Sequence, residues 1–288
     1  MRLNEESIRY ILDLQKNMLP LIYCCANNER LRSLESIVNH YNGRLTYKNS
    51  YQYKEFGPIN TLLIFLDEIN SDGVLDIEKA LIAMNKREIV LLEANGIDSL
   101  INKRNLALSI INRYDINVIK GTKSEIETLI KFQENDEESK INYENDNCKF
   151  RNFSKRNNSV IIIKDDKYYI TDGYSEFIIK NNSNELYDKD ILDNIYIGMI
   201  AVSIGVCKNK SEIIQAILIA TIAFYIGEKR ALNYLVNSKI IDNKDIGHYL
   251  LNEIYKIDID TIKSYGDVYY SFKRDRSEER RVGKECRS

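Results

Sequence analysis

Side chains able to carry acid–base, nucleophilic or metal chemistry are sparse in this 288-residue chain and keep no familiar spacing. Only two histidines occur, His40 and His248, far apart on segments of helical periodicity. They do not suggest a histidine-based base or nucleophile, and each reads as an ordinary helix residue. The cysteines are Cys24, Cys25, Cys148, Cys207 and Cys286, with no CxxC pair among them. Adjacent Cys24-Cys25 inside an apolar run reads as buried thiols of a reducing compartment, not as a disulfide or zinc site. A Walker loop, a GxGxxG turn and an HExxH helix are all missing from the sequence. General motifs therefore leave the chemistry open.

The elements that would have to position a site are clearer. Leu19–Cys25, Thr61–Leu66, Glu88–Leu92 and Ile116–Lys120 are short apolar runs that read as strands. Helical spacing falls between them, at Glu29–Tyr41 (through Leu31, Leu34, Ile37 and Val38), Ile77–Asn85, Leu106–Tyr114 and Lys123–Phe132. Strands apolar on both faces, alternating with helices, imply a parallel sheet covered on both sides. After a polar segment, Gln133–Asn158, the pattern changes to three close strands, Ser159–Ile163, Lys167–Thr171 and Ser175–Lys180. Asp165-Asp166 and Asp172-Gly173 mark their turns, so an antiparallel extension of the sheet is expected. From Asp190 to about Ile262 the chain reads as helix.

Composition bounds the class. A net charge of -2 from 41 basic and 43 acidic residues lacks the basic excess of a dedicated nucleic-acid binder. Abundant Ile, Leu and Tyr, with only two prolines, exclude a disordered chain and supply one large core. The amino-terminal MRLNEESIRYILDLQKN is amphipathic and acidic, unlike a signal peptide. The most apolar stretch, Asn194–Gly227, is interrupted by Lys208, Lys210 and Glu212. Each part is shorter than the ~20 residues of a spanning helix, so buried helices, no membrane partner and a cytoplasmic location are expected. From Arg274 the text becomes RDRSEERRVGKECRS, dense in Arg where the rest prefers Lys. Residues 273–288 read as a non-native read-through tail, and residues 1–272 as a single α/β domain.

One stretch carries a resemblance. Arg87–Ile130, REIVLLEANGIDSLINKRNLALSIINRYDINVIKGTKSEIETLI, is similar to the central segment of hydroxyethylthiazole kinases, where a strand ending VVLDPVGVGA leads through a helix to VIRGNxSEI. Outward in register, Leu21–Asn27 (LIYCCAN) resembles that family's LVHCITN strand, with Cys24 on its Cys. Val160–Gly173 resembles the hairpin AVTGxxDxVTDG, and Asp245–Tyr255 its last helix. The resemblance spans the chain to about residue 258 in order and spacing. It implies a ribokinase-like three-layer αβα sandwich with a mainly parallel sheet and an antiparallel hairpin extension. It also implies a trimer, homomeric or mixed with a paralogue, with sites between subunits.

Site residues follow from the same resemblance, position by position. The family's Gly-rich VTGTGC turn, whose backbone N–H groups hold the transferred phosphate, falls on Lys189-Asp190-Ile191-Leu192-Asp193-Asn194. Asn194 takes the place of the Cys beside the alcohol, and Asp193 becomes a displaced candidate base. A site of that kind favours glycine and no nearby carboxylate, so Asp190 and Asp193 also read as caps for the helix N–H groups. Lys120, Gly121 and Thr122 replace RGN near the phosphates, and Lys164 with Asp165-Asp166 replaces TGE near the nucleotide. Glu93, in place of the Asp of DPVGVG, and Glu125 fall where the family orders Mg²⁺. Glu125 equally reads as a first-turn acid favoured by the helix dipole. Asn27, Tyr47 and Gly96 fall on the substrate side, where NIGT has become Phe65-Leu66-Asp67-Glu68 and LGASP has become Tyr41-Asn42-Gly43-Arg44-Leu45. The implied activity is ATP- and Mg²⁺-dependent phosphorylation of the alcohol of 4-methyl-5-(2-hydroxyethyl)thiazole, in thiamine salvage. It is weakened here, because one lost phosphate donor commonly costs ~10²–10³ in rate. The alternative is a catalytically silent homologue acting as a small-molecule-binding or regulatory subunit.

Overall fold

The computed structural model describes residues 5–47, 59–66, 71–84, 87–133, 146–180, 189–238 and 246–266. The Arg-rich tail, Cys286, Asp67 and Glu68 lie outside the described residues. Strands β1 (Leu21–Cys25), β2 (Arg44–Thr46), β3 (Thr61–Phe65), β4 (Ile89–Glu93), β5 (Val118–Gly121), β6 (Val160–Lys164), β7 (Lys167–Thr171) and β8 (Glu176–Lys180) form one sheet. Its order is β2-β1-β3-β4-β5-β6-β7-β8. The strands from β2 to β6 pair in parallel, and β7 and β8 close the edge as antiparallel neighbours.

Two helical layers cover the sheet. One contains α1 (Glu5–Met18), α2 (Asn28–His40), α7 (Lys189–Ile204), α8 (Lys210–Ser238), α9 (Ile246–Tyr255) and α10 (Ile259–Gly266). The other contains α3 (Ser71–Ala83), α4 (Ile101–Arg113), α5 (Lys123–Gln133) and α6 (Asp146–Asn157). The period of two sorts each strand between them: Leu63, Leu91 and Ile162 face the α7–α8 core, while Leu62, Leu92 and Ile161 face the other. The expected three-layer sandwich with its hairpin extension is the observed architecture.

The differences from expectation have local causes. Strand β2 has three residues and is not fully apolar, so no periodicity announces it. Helix α6 lies inside the polar segment, and its apolar anchors are Phe150 and Phe153, beside the buried Ser154 that donates to the Ser159 carbonyl. Helix α8 runs for 29 residues and is long and apolar enough to cross a bilayer. Here it is packed among α7, α9 and the sheet, with 83% of its most apolar window buried, so it is a core helix.

Candidate active site

Three neighbouring strands carry a charged residue at or one place before their carboxyl ends, all on one face. Glu93 continues the Ile89, Leu91 side of β4, Lys120 the Val118 side of β5, and Lys164 the Val160, Ile162 side of β6. All three therefore rise toward α7 and α8 at the carboxyl ends of the parallel strands, where open α/β sheets bind ligands. Glu93 pairs directly with Lys120 across the β4–β5 ladder, and Lys120 Nζ donates to Glu93 Oε1 at 2.7 Å. Both side chains are buried. Lys164 Nζ donates to Asp193 Oδ1 at 2.5 Å, and Lys120 Nζ lies 4.0 Å from the same oxygen. The result is a chain of alternating charge, Glu93–Lys120–Asp193–Lys164, laid across the strand ends beneath α7.

Burial acts on each member of this chain differently. Burial pushes the Glu93 carboxyl up to about 7, even though Lys120 opposes the shift. Burial also disfavours the Lys120 ammonium, but Glu93 and Asp193 together hold its pKa above the ordinary value. Lys120 answers to two carboxylates and Glu93 to one cation, so Glu93 is the weaker-held charge of the pair. For Asp193 burial raises the pKa, and Lys120 and Lys164 outweigh it, leaving the carboxyl below its ordinary value. Glu93 Oε2 is buried without a hydrogen-bond partner among the described residues.

The α7 segment differs from the expected Gly-rich turn. Its helix is already formed at Lys189, so Asp193 and Asn194 lie within it and Asp193 does not cap its start. Helical N–H groups from about the fifth residue onward bond within the helix. Leu192 and Tyr196 are buried against the core, and Tyr196 is fully so. Asn194 Oδ1 accepts from Arg30 Nη1 at 3.3 Å, and the Arg30 guanidinium lies 4.6 Å over the Phe65 ring.

Of the other expected residues, Gly96, Gly121, Thr122 and Glu125 connect the strand ends beside this chain, whereas Asn27 and Tyr47 lie toward the other edge of the sheet. Glu125 Oε1 accepts from Gly96 N–H and Oε2 from Thr122 N–H, each at 2.7 Å. Thr122 Oγ1 accepts in return from Glu125 N–H at 3.3 Å, which makes Thr122-x-x-Glu125 a capping box at the start of α5. Gly96 has φ +74, a left-handed turn that brings its N–H back to Glu125. A Cβ on Gly121 would stand 3.1 Å from Glu125 Oε2, so glycine there allows the close approach. Lys123 N–H at the same helix start donates to Asp165 Oδ2 at 2.9 Å. Asn27 caps α2, its Oδ1 accepting from Arg30 N–H at 2.8 Å. Tyr47 follows β2 at the far edge of the sheet and is exposed. On the opposite face of the β6 end, Lys123, Phe150, Asp165, Asp166 and Tyr169 help line a cavity of about 490 Å³.

Three participants carry no signal in the resemblance. Arg30 is a cation in the first turn of a helix, where the dipole disfavours it. Glu228 is a lone carboxylate in the apolar face of α8, 2% exposed. Tyr168 is fully buried, and its ring stands 5.0 Å from that of Tyr196.

No family model and no curated protein sequence matches the chain. Solved structures do match it. A hydroxyethylthiazole kinase from Pyrococcus horikoshii superposes with a TM-score of 0.72 at 16% identity, over 90% of this chain and 97% of that one. A ribokinase-like superfamily protein from Enterococcus faecalis gives 0.57 at 10% identity, over 88% and 95%. An ADP/ATP-dependent NAD(P)H-hydrate dehydratase from Bacillus subtilis, crystallised with ATP and Mg²⁺, gives 0.54 at 8% identity, over 88% and 97%. The chain thus has the ribokinase-like fold, shared with these proteins along nearly their whole length.

Proposed function

We propose that this protein is a hydroxyethylthiazole kinase-like phosphotransferase of weakened activity, transferring phosphate from ATP to the alcohol of 4-methyl-5-(2-hydroxyethyl)thiazole in the cytoplasm. The observation that carries the reading is the convergence of Glu93, Lys120, Lys164 and Asp193 at the carboxyl ends of adjacent parallel strands. Bound ATP·Mg²⁺ would supply the phosphoryl group and the charge neutralisation that transfer needs. The residues suit that partner: Lys120 and Lys164 would hold phosphate oxygens, and Glu93 Oε2, without a hydrogen bond among the described residues, suits a hard cation that takes oxygen ligands. Glu125, with both oxygens given to backbone N–H groups, would shape the Gly96 and Thr122 turns around it. Asp193 is the candidate base, taking the alcohol proton on its carboxylate once Lys164 has left it. The low pKa of Asp193 makes it a weak acceptor, and the missing glycine turn removes preorganised donors. Both point to slow turnover. Asn27, Gly96 and Tyr47 would border the thiazole, and Asn194 would stand beside the alcohol. The cavity at Asp165 and Asp166 would take the nucleoside. A trimer, homomeric or mixed with a paralogue, would complete the assembly.

Two observations favour the second reading, a silent small-molecule-binding or regulatory homologue. The ammonium groups of Lys120 and Lys164 are already paired with carboxylates, and α7 is helical through Asp193 and Asn194. A turnover assay separates the two. The full chain is incubated with Mg²⁺, ATP and the thiazole alcohol, and phosphomonoester formation is followed by phosphorus NMR. The kinase reading expects slow product formation that Asp193→Asn abolishes. No product after prolonged incubation, from folded protein, would leave the silent reading standing.

A further inference from the structure

Lys164 sits between two carboxylates but holds only one. Its Nζ is bonded to Asp193 and stands 6.0, 5.7 and 5.5 Å from the ring centroids of Tyr168, Tyr196 and Phe224. Phe224 and Glu228 are one helical turn apart on α8, so both project from the same face toward this ammonium. Thr221, on that face too, accepts from the Tyr196 hydroxyl at 2.8 Å while donating to the Ile217 carbonyl. Glu228 Oε2 is buried without a hydrogen bond among the described residues, and so is the neighbouring Tyr168 hydroxyl. An unpaired buried carboxylate oxygen is costly enough to mark a seat that something occupies. Five charges lie in this run, Glu228, Lys164, Asp193, Lys120 and Glu93, with three carboxylates for two ammonium groups.

We propose that Glu228 is the second seat of the Lys164 ammonium and therefore a positioning residue of the site. Lys164 on Asp193 closes the site, and Lys164 on Glu228 leaves Asp193 free to receive a ligand hydroxyl. The move needs only side-chain rotation of a lysine, past aromatic faces that stabilise a cation along its path. It redistributes no covalent bond, and the charge of the run is the same in both states. The electrostatic environment agrees: burial raises the Glu228 carboxyl to about 7, Lys164 opposes that rise, and Asp193 adds to it. The groups facing Glu228 are Lys164 from β6, Asp193 from α7 and Tyr168 from β7. From α9, Leu250 and Ile254 pack at the adjacent Gly227.

The inference rests on the kinase-like reading for its purpose, but its test does not use the substrate. Carboxyl carbon NMR of the full chain, with Glu228 assigned by its loss in Glu228→Gln, gives the Glu228 titration midpoint. Asp193→Asn removes the resting partner of Lys164, and the midpoint is expected to fall by at least about one unit as the ammonium moves over. In Asp193→Asn/Lys164→Met the midpoint returns to the wild-type value or higher, which separates Lys164 transfer from the loss of a negative neighbour. A midpoint that falls equally with and without Lys164, or does not fall, overturns the second seat. Should Asp193→Asn fail to fold, Asp193→Ser serves the same comparison. Failure of the thiazole alcohol to bind would end the substrate assignment and leave this result intact.

Discussion

Replacing Lys120 by methionine removes the cation of a buried ion pair while filling much the same volume. Lys120 and Glu93 side chains are 3% and 2% exposed and bonded at 2.7 Å, so solvent cannot take over the lost interaction. Removing one partner of such a pair costs about 3–5 kcal/mol, because the other charge stays buried and unpaired. Glu93 limits the loss by taking up a proton. Its folded pKa is already about 7, against an ordinary value of 4.5, and losing Lys120 raises it further. A carboxyl with a raised folded pKa stabilises the fold fully below its unfolded value, and that contribution is lost as pH rises through the folded value. The extra cost of Lys120→Met therefore appears above pH 7 and shrinks below it, where Glu93 is protonated in both proteins. Urea denaturation should show a loss of about 3–5 kcal/mol at pH 8 and about 2 kcal/mol less at pH 5.5. With no Trp and 20 Tyr in the chain, far-ultraviolet circular dichroism and tyrosine emission are the probes. Adding Glu93→Gln to Lys120→Met should recover most of the loss at pH 8. A loss under about 1 kcal/mol, or one equal at both pH values, would refute the buried-pair argument.

Other consequences are equally direct. Glu228→Gln removes a carboxylate that burial holds near 7, so it should leave stability unchanged at pH 5 and raise it by about 1–2 kcal/mol at pH 8, read from the same denaturation curves. Glu125→Ala leaves the Gly96 and Thr122 N–H groups without their acceptor and should cost about 3 kcal/mol, with faster amide exchange at both positions by NMR. Gly43→Ala would place a methyl 2.6 Å from Val202 Cγ2 and 2.8 Å from Val38 Cγ1 and should lower stability by about 1–3 kcal/mol in thermal unfolding.

The sequence carried the framework well because strand and helix periods repeat through buried residues. Leu31, Leu34, Ile37 and Val38 are all buried where their spacing put them, and IVLL and VIII lie in strands β4 and β6. The polar helix α6 and the three-residue β2 gave no such period. Site geometry was legible in part: Glu93, Lys120, Lys164 and Asp193 come together in one charge chain. Their mutual pairing was not legible, because the contacts join residues 27 to 73 positions apart through side-chain direction. Glu228 escaped notice for the opposite reason. Its position is unremarkable along the helix, and it becomes a site residue only because Phe224, one turn earlier, packs beside Lys164.

The protein's own carboxylates occupy the cations that would hold phosphate. Calorimetric titration of ATP·Mg²⁺ into the wild-type chain and into Asp193→Asn tests it most directly. Neutralising Asp193 takes a negative charge from beside Lys120 and from the side of the site that phosphate would enter, so nucleotide affinity should rise at least about tenfold over weak wild-type binding. Equal or weaker binding by a folded Asp193→Asn protein would mean that Asp193 does not mask a phosphate site.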